Sequence, residues 1–154
     1  MRLLLIRHAR AAASNHLPDA ERPLTDEGRR EFEAVARSIV LRGGTPSAIF
    51  HSPARRTTET AEILATAAEL PPSTRDVATW LALGVGCQEI LPRLLDLSAE
   101  VTALVGHEPI MSSLTSLLLD GGRTHFSPGT SACLEFDGII APGQGRLLWV
   151  LEPR

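Results

Sequence analysis

Short, mostly apolar runs recur along the chain and predict buried β-strands. Three of them occupy residues 2–6, 48–50 and 101–105, and two further runs lie at 132–136 and 146–151. Runs of this length without alternation are typical of strands that are covered on both faces. The pattern therefore predicts a sheet in the interior of the protein, with other layers on either side.

Helical periodicity fills the spaces between the first strands. Phe32, Val35, Ala36 and Ile39 recur at the spacing of one helix face, after Thr25, which is placed to cap the helix. Ser52 is the predicted N-cap of a second helix, with Pro53 at its first position, and Pro109 is expected to open a fourth. The predicted helices cover residues 26–42, 53–70, 87–96 and 109–118, and residues 9–24 and 71–86 are predicted loops.

Strands that alternate with helices indicate βαβ units and a largely parallel sheet. The last two strands are separated by Asp137-Gly138 and Pro142-Gly143, which leaves no room for a helix, so we expect an antiparallel hairpin at one side of the sheet. The predicted fold is a three-layer α/β/α sandwich. With 154 residues and no linker, residues 1–154 are expected to form a single domain.

Composition narrows the possible partners. A net charge of -3 gives no reason to expect nucleic acid or a membrane as a partner, and no run approaches the ~20 apolar residues of a membrane span. No signal peptide is predicted, so a cytoplasmic location is expected by default.

Cys87 and Cys133 lack metal-ligand spacing and are expected to be free thiols, with a disulfide between them as the alternative. All 15 basic residues are arginines, which suit phosphate or carboxylate.

Two of the apolar runs end in histidine. Arg7-His8 follows the first strand and Gly106-His107 follows the strand at 101–105. Polar residues at the carboxyl ends of buried strands are how open α/β sheets build their sites. Arg56 falls in the first turn of the second helix, where the helix dipole also favours an anion. Together these residues are compatible with a phosphoryl group, although each one alone is also typical of a structural role.

Three segments resemble the signature of the histidine phosphatase superfamily. These are LLIRHA at residues 4–9, SPARRTTETA at 52–61 and VGHEP at 105–109. The short length and the segment from Arg22 to Gly28 resemble the small phosphohistidine phosphatase branch of the SixA type. The resemblance extends over residues 2–136 and implies a phosphoglycerate mutase-like fold.

The resemblance also implies roles for individual residues. His8 would be the nucleophile that is transiently phosphorylated, and Arg7, Arg56 and His107 would bind the phosphoryl group. Arg22 is a weaker candidate for the same task. Because arginine and histidine supply the positive charge, no metal or other cofactor is expected. Water would then hydrolyse the phosphohistidine intermediate.

One part of the family pattern is missing. The larger members carry a catalytic glutamate before the strand of the third motif, whereas residues 77–88 contain no Asp or Glu. Asp76, Glu89 and Glu108 lie nearby but match no motif. The absence of an acid disfavours a mutase and favours a labile P–N bond, because an imidazole leaves more readily than an alkoxide.

These observations predict a phosphohistidine phosphatase that acts on a phosphohistidine-containing protein, such as a histidine-containing phosphotransfer domain. A phosphatase acting on small phosphate esters is the alternative within the same superfamily. A non-catalytic module that binds a phosphorylated ligand is the alternative from another class.

Overall fold

The computed structural model describes all residues from Met1 to Arg154 and contains six strands and four α-helices. The strands are β1 (Arg2–Arg7), β2 (Ala48–His51), β3 (Arg75–Val77), β4 (Val101–Gly106), β5 (Ser131–Glu135) and β6 (Arg146–Leu151). The helices are α1 (Asp26–Leu41), α2 (Arg55–Ala67), α3 (Cys87–Leu95) and α4 (Ile110–Leu118). No helix is both long enough and apolar enough to cross a membrane.

All six strands form one sheet in the order β3-β2-β4-β1-β5-β6. The four strands from β3 to β1 are parallel, and β5 and β6 pair in antiparallel fashion at one side. The predicted three-layer α/β/α fold with an antiparallel edge is therefore confirmed. Because β1 and β4 are neighbours in register, with Arg7 opposite Gly106, the residues after them lie side by side.

The core consists of two layers, one on each face of the sheet. Alternation along β1 divides its side chains, since Leu3 and Leu5 pack with α3 and α4, whereas Leu4 and Ile6 pack with α1 and α2. All four are fully buried. This two-sided burial is the physical reason that β1 is apolar without interruption from Leu3 to Ile6.

The helix starts differ in how well the sequence predicted them. Thr25 caps α1 as predicted, with its side chain accepting a hydrogen bond from the Gly28 amide. The predicted start of α2 at Ser52-Pro53 is wrong, because the N-cap is Ala54. The Ser52 side chain makes a tertiary contact, described below, and is therefore not available to cap the helix. Pro109 is the N-cap of α4 rather than its first helical residue.

The sequence predicts a loop between α2 and α3, but this segment is not wholly irregular. It contains the three-residue strand β3, which extends the sheet beyond β2. An exposed edge strand of this length has no apolar run that would predict it.

Both cysteines are free thiols. Cys133 is buried in β5 and Cys87 is partly buried at the start of α3. Burial raises the pKa of both thiols, that of Cys133 to about 11, so neither is a reactive thiolate at neutral pH.

Candidate active site

The two strand-end histidines meet at the carboxyl edge of the sheet. The rings of His8 and His107 have centroids 5.4 Å apart and are arranged edge to face. The His8 amide donates to the Gly106 carbonyl at 3.0 Å, which continues the β1–β4 pairing by one residue. A Cβ at Gly106 would lie 2.8 Å from the terminal methyl group of Met111, so a larger residue here would require this flexible side chain to shift. Strand pairing thus fixes the distance between the two rings.

The ring of His8 is held in one tautomer. Its Nδ1 lies 2.7 Å from the Ala9 carbonyl oxygen, which only accepts hydrogen bonds, so Nδ1 carries the proton. Burial, with further contributions from Arg56 and Arg7, lowers the pKa of His8 from 6.5 to about 4. The ring is therefore neutral at pH 7, with the lone pair on Nε2.

The ring of His107 is held through the other ring nitrogen. Its Nε2 lies 2.8 Å from Ser52 Oγ, while its Nδ1 is buried and has no hydrogen-bond partner. Burial is again the main cause that lowers the pKa of this ring to about 4, followed by the nearby His8 and Arg56. When Ser52 donates its hydroxyl proton to Nε2, the proton of His107 lies on Nδ1 and is available to an anion.

Arg7 and Arg56 place their charge next to these rings. Arg7 Nη1 donates to the Phe126 carbonyl at 2.8 Å, which holds the side chain at the end of β1. The side chain of Arg56 is only 3% exposed and comes from the first turn of α2. Both guanidinium groups act on the pKa values of both histidines, so the four residues form one cluster.

Unsatisfied donors mark this cluster. Only four buried side-chain atoms lack a hydrogen-bond partner in the protein, and three of them are Arg7 Nε, Arg56 Nε and His107 Nδ1. The fourth, Thr102 Oγ1, belongs to the buried strand β4. Buried polar atoms are nearly always hydrogen-bonded, so three unpartnered atoms in one cluster mark it as a candidate binding site for an anion.

The loop after β1 is held over the cluster by α2. Glu59 accepts from the Leu24 amide at 2.9 Å and pairs with Arg29, and Thr60 Oγ1 accepts from the Ala9 amide at 3.0 Å. These contacts explain why two polar residues of α2 are buried. They fix both ends of the loop, which carries Asp19 and Arg22.

Asp19 is the carboxylate of the cluster, and the sequence analysis missed it. Arg56 donates through Nη1 to the Asp19 carbonyl at 2.8 Å and through Nη2 to its Oδ2 at 3.0 Å. Arg22 Nε donates to Asp19 Oδ1, also at 3.0 Å. The only available signal was its position three residues before Arg22, in a turn that has no motif of its own.

The other predicted residues have separate partners. Arg22 lies beside the cluster, but its hydrogen bonds go to Asp19 and to the Ala12 carbonyl. Glu108 is occupied by the Ser112 amide and hydroxyl, and Glu89 by the Gly86 amide. Asp76 lies exposed on β3. None of the three carboxylates considered from sequence is engaged with Arg56.

Comparison with known proteins places the chain in a family. The sequence profile of the histidine phosphatase superfamily, branch 1, matches residues 3–79, which is half of the 154-residue chain. The chain belongs to this superfamily, as its three motifs predicted. No curated protein sequence matches the chain at a significant level.

Similar solved structures include SixA proteins. A candidate phosphohistidine phosphatase SixA from Nakamurella multipartitia is 27% identical, with a TM-score of 0.79, and the alignment covers 99% of this chain and 95% of that one. The protein histidine phosphatase SixA in complex with tungstate is 24% identical, with a TM-score of 0.88 and coverage of 99% and 97%. A candidate SixA from Agrobacterium tumefaciens is also 24% identical, with a TM-score of 0.82 and the same coverage. The fold is shared over nearly the full length of each chain.

Proposed function

We propose that the protein is a phosphatase that hydrolyses phosphohistidine through a covalent intermediate on His8. The observation that carries this proposal is the set of three buried, unpartnered donors beside a histidine whose Nε2 is free. Superfamily membership and the similarity to SixA structures support it.

The first step is an in-line attack on phosphorus. The lone pair of His8 Nε2 forms the new P–N bond while the bond to the substrate's imidazole nitrogen breaks. Arg7, Arg56 and His107 stabilise the charge on the three equatorial oxygens, which is the main task in phosphoryl transfer. Because the Ala9 carbonyl keeps the proton on Nδ1, His8 reacts without first losing a proton.

The second step returns the enzyme to its starting state. A water molecule attacks the phosphorus of phospho-His8, and the electron pair of the P–N bond returns to Nε2. Arg7, Arg56 and His107 again hold the equatorial oxygens. Inorganic phosphate is released with both protons of the attacking water, and neutral His8 is regenerated with its proton still on Nδ1.

A protein-borne substrate fits the position of the site. Asp19, at its edge, has a side chain that is 55% exposed, so the site opens to solvent beside the arginines. A large surface cleft of about 1030 Å³ lies elsewhere, between α1 and the C-terminal residues, and contains none of the site residues. An open site that is reached from one side accepts a histidine displayed on a protein surface.

Substrate comparison tests the proposal. The protein is expected to release phosphate from a histidine-containing protein that has been phosphorylated with phosphoramidate, and to turn over p-nitrophenyl phosphate and sugar phosphates far more slowly. The opposite order would establish a small-molecule phosphomonoesterase instead. If neither panel is turned over while phosphate still raises the melting temperature, the protein is a binding module and the proposal is wrong.

A further inference from the structure

Asp19 binds to a different part of Arg56 from the part that is free to hold a phosphoryl group. The Asp19 carbonyl accepts a hydrogen bond from Arg56 Nη1, and Asp19 Oδ2 accepts one from Nη2. The buried Nε of Arg56 has no hydrogen-bond partner. Asp19 therefore uses none of the three unpartnered donors of the cluster.

The carboxylate remains ionised in this position. The hydrogen bond from Arg56, with further contributions from Arg22, holds the pKa of Asp19 below its usual value. Asp19 is therefore a poor proton donor to a leaving group at neutral pH. The charged groups that face it are Arg56 from α2 and Arg22 from its own loop, while His8 and His107 are neutral at pH 7.

Exposure places the carboxylate on the side from which a substrate arrives. The Asp19 side chain is 55% exposed, whereas that of Arg56, behind it, is only 3% exposed. The leaving group of a substrate bound at the cluster would extend toward solvent past the exposed Asp19 side chain, because Arg56 is buried. An ionised carboxylate there attracts a cationic leaving group and repels an anionic one.

We propose that Asp19 selects phosphohistidine in its imidazolium form, by accepting a hydrogen bond from the ring nitrogen that does not carry phosphorus. This inference rests on the proposed function and specifies the form of the substrate. The electron pair of the breaking P–N bond goes to the departing ring nitrogen. The ring leaves as neutral imidazole and keeps its proton on the far nitrogen, so the reaction needs no general acid.

The variant Asp19→Asn removes the charge and nearly keeps the shape. A charge-assisted hydrogen bond to the substrate predicts a loss of about 10- to 100-fold in kcat/KM for a protein carrying phosphohistidine. Orthovanadate reports on the phosphoryl site alone, because it has no leaving group. Its dissociation constant, measured by calorimetry, is expected to be unchanged or lower in Asp19→Asn. The matched control is Glu21→Gln, which removes an exposed charge from the same turn and is expected to leave both quantities within about two-fold of wild type.

The remaining outcomes separate this inference from the proposed function. Parallel losses in kcat/KM and in vanadate affinity would show that Asp19 only positions Arg56, and an unchanged kcat/KM would show that it does not act on the substrate. Either result overturns the inference while phosphohistidine hydrolysis by the wild type still stands. Failure of the wild type to hydrolyse phosphohistidine overturns both.

Discussion

The ends of β1 and β4 carry the same residue type in the same position, yet their rings are tied through opposite nitrogens. His8 is held through Nδ1 by the Ala9 carbonyl, while His107 is held through Nε2 by the Ser52 hydroxyl. A carbonyl only accepts, so it fixes a donor on His8 and leaves a lone pair on the other nitrogen. A hydroxyl also donates, so it lets His107 present an N–H to the site. In the proposed mechanism, these two equivalent strand ends thereby supply the nucleophile and a donor to the phosphoryl group.

Removal of each ring is expected to separate these roles most strongly. His8→Ala should lose activity by about 10⁴-fold or more, because no other group in the cluster supplies the nucleophile. His107→Ala should lose about 10²- to 10³-fold, as expected for one donor to the developing charge. Turnover of phosphohistidine and radiolabelling of the phosphoenzyme measure the difference, since only His107→Ala should still carry the label.

The exposed His125 provides the control for both substitutions. It lies in the loop after α4, and His125→Ala is expected to keep near-wild-type turnover. A labelled His8→Ala protein, or one that keeps substantial turnover, would show that the two roles are assigned incorrectly.

Loss of the Ser52 hydroxyl is expected to weaken the distinction between the rings without removing either. Ser52→Ala deletes the donor to His107 Nε2, so the ring proton is no longer held on Nδ1, and we expect kcat to fall about 10-fold. Imidazole ¹⁵N chemical shifts should show a changed tautomer population at His107. Thr58→Ala removes a hydroxyl from the same turn that contacts His51 and not His107, and should leave these shifts unaltered. Unchanged shifts in Ser52→Ala would contradict the role given to the serine.

The two rings should behave alike in one respect, which is the dependence of stability on pH. Both have pKa values of about 4 in the folded protein and 6.5 when unfolded, so the unfolded chain binds more protons between these limits. The free energy of unfolding is therefore at its full value above pH 6.5 and decreases as the pH falls to 4, by roughly 3 kcal/mol for each ring. Urea denaturation across this range measures it.

Removal of one ring should remove part of this dependence. His8→Ala is expected to show a smaller decrease between pH 6.5 and 4, while His125→Ala should match the wild type. A free energy of unfolding that stays constant over this range would show that the rings are not held neutral by burial.

The elements that the sequence predicted correctly are those with strong local signals. The apolar run of β1, the periodicity of α1 and its Thr25 cap each reflect burial or a hydrogen bond that involves neighbouring residues. The prediction of the α2 start was wrong for the opposite reason, since the Ser52 side chain is hydrogen-bonded to His107, 55 positions away. The short edge strand β3 was not predicted, because its backbone pairs with β2 while its side chains are largely exposed and show no apolar run.

The sequence by itself determined which chemistry is available, because three motifs supply two histidines and two arginines after short apolar strands. Tertiary structure decided how these groups act. Strand pairing set the two rings 5.4 Å apart, and burial keeps both neutral. The loop after β1, held by α2, brought Asp19 against Arg56 from 37 residues away, where no local pattern predicts a contact. Local sequence specifies the residue types and the buried face of each strand and helix. The protonation state and the hydrogen-bond partner of each active-site side chain depend instead on residues distant in the sequence, which bury that side chain and exclude water from it.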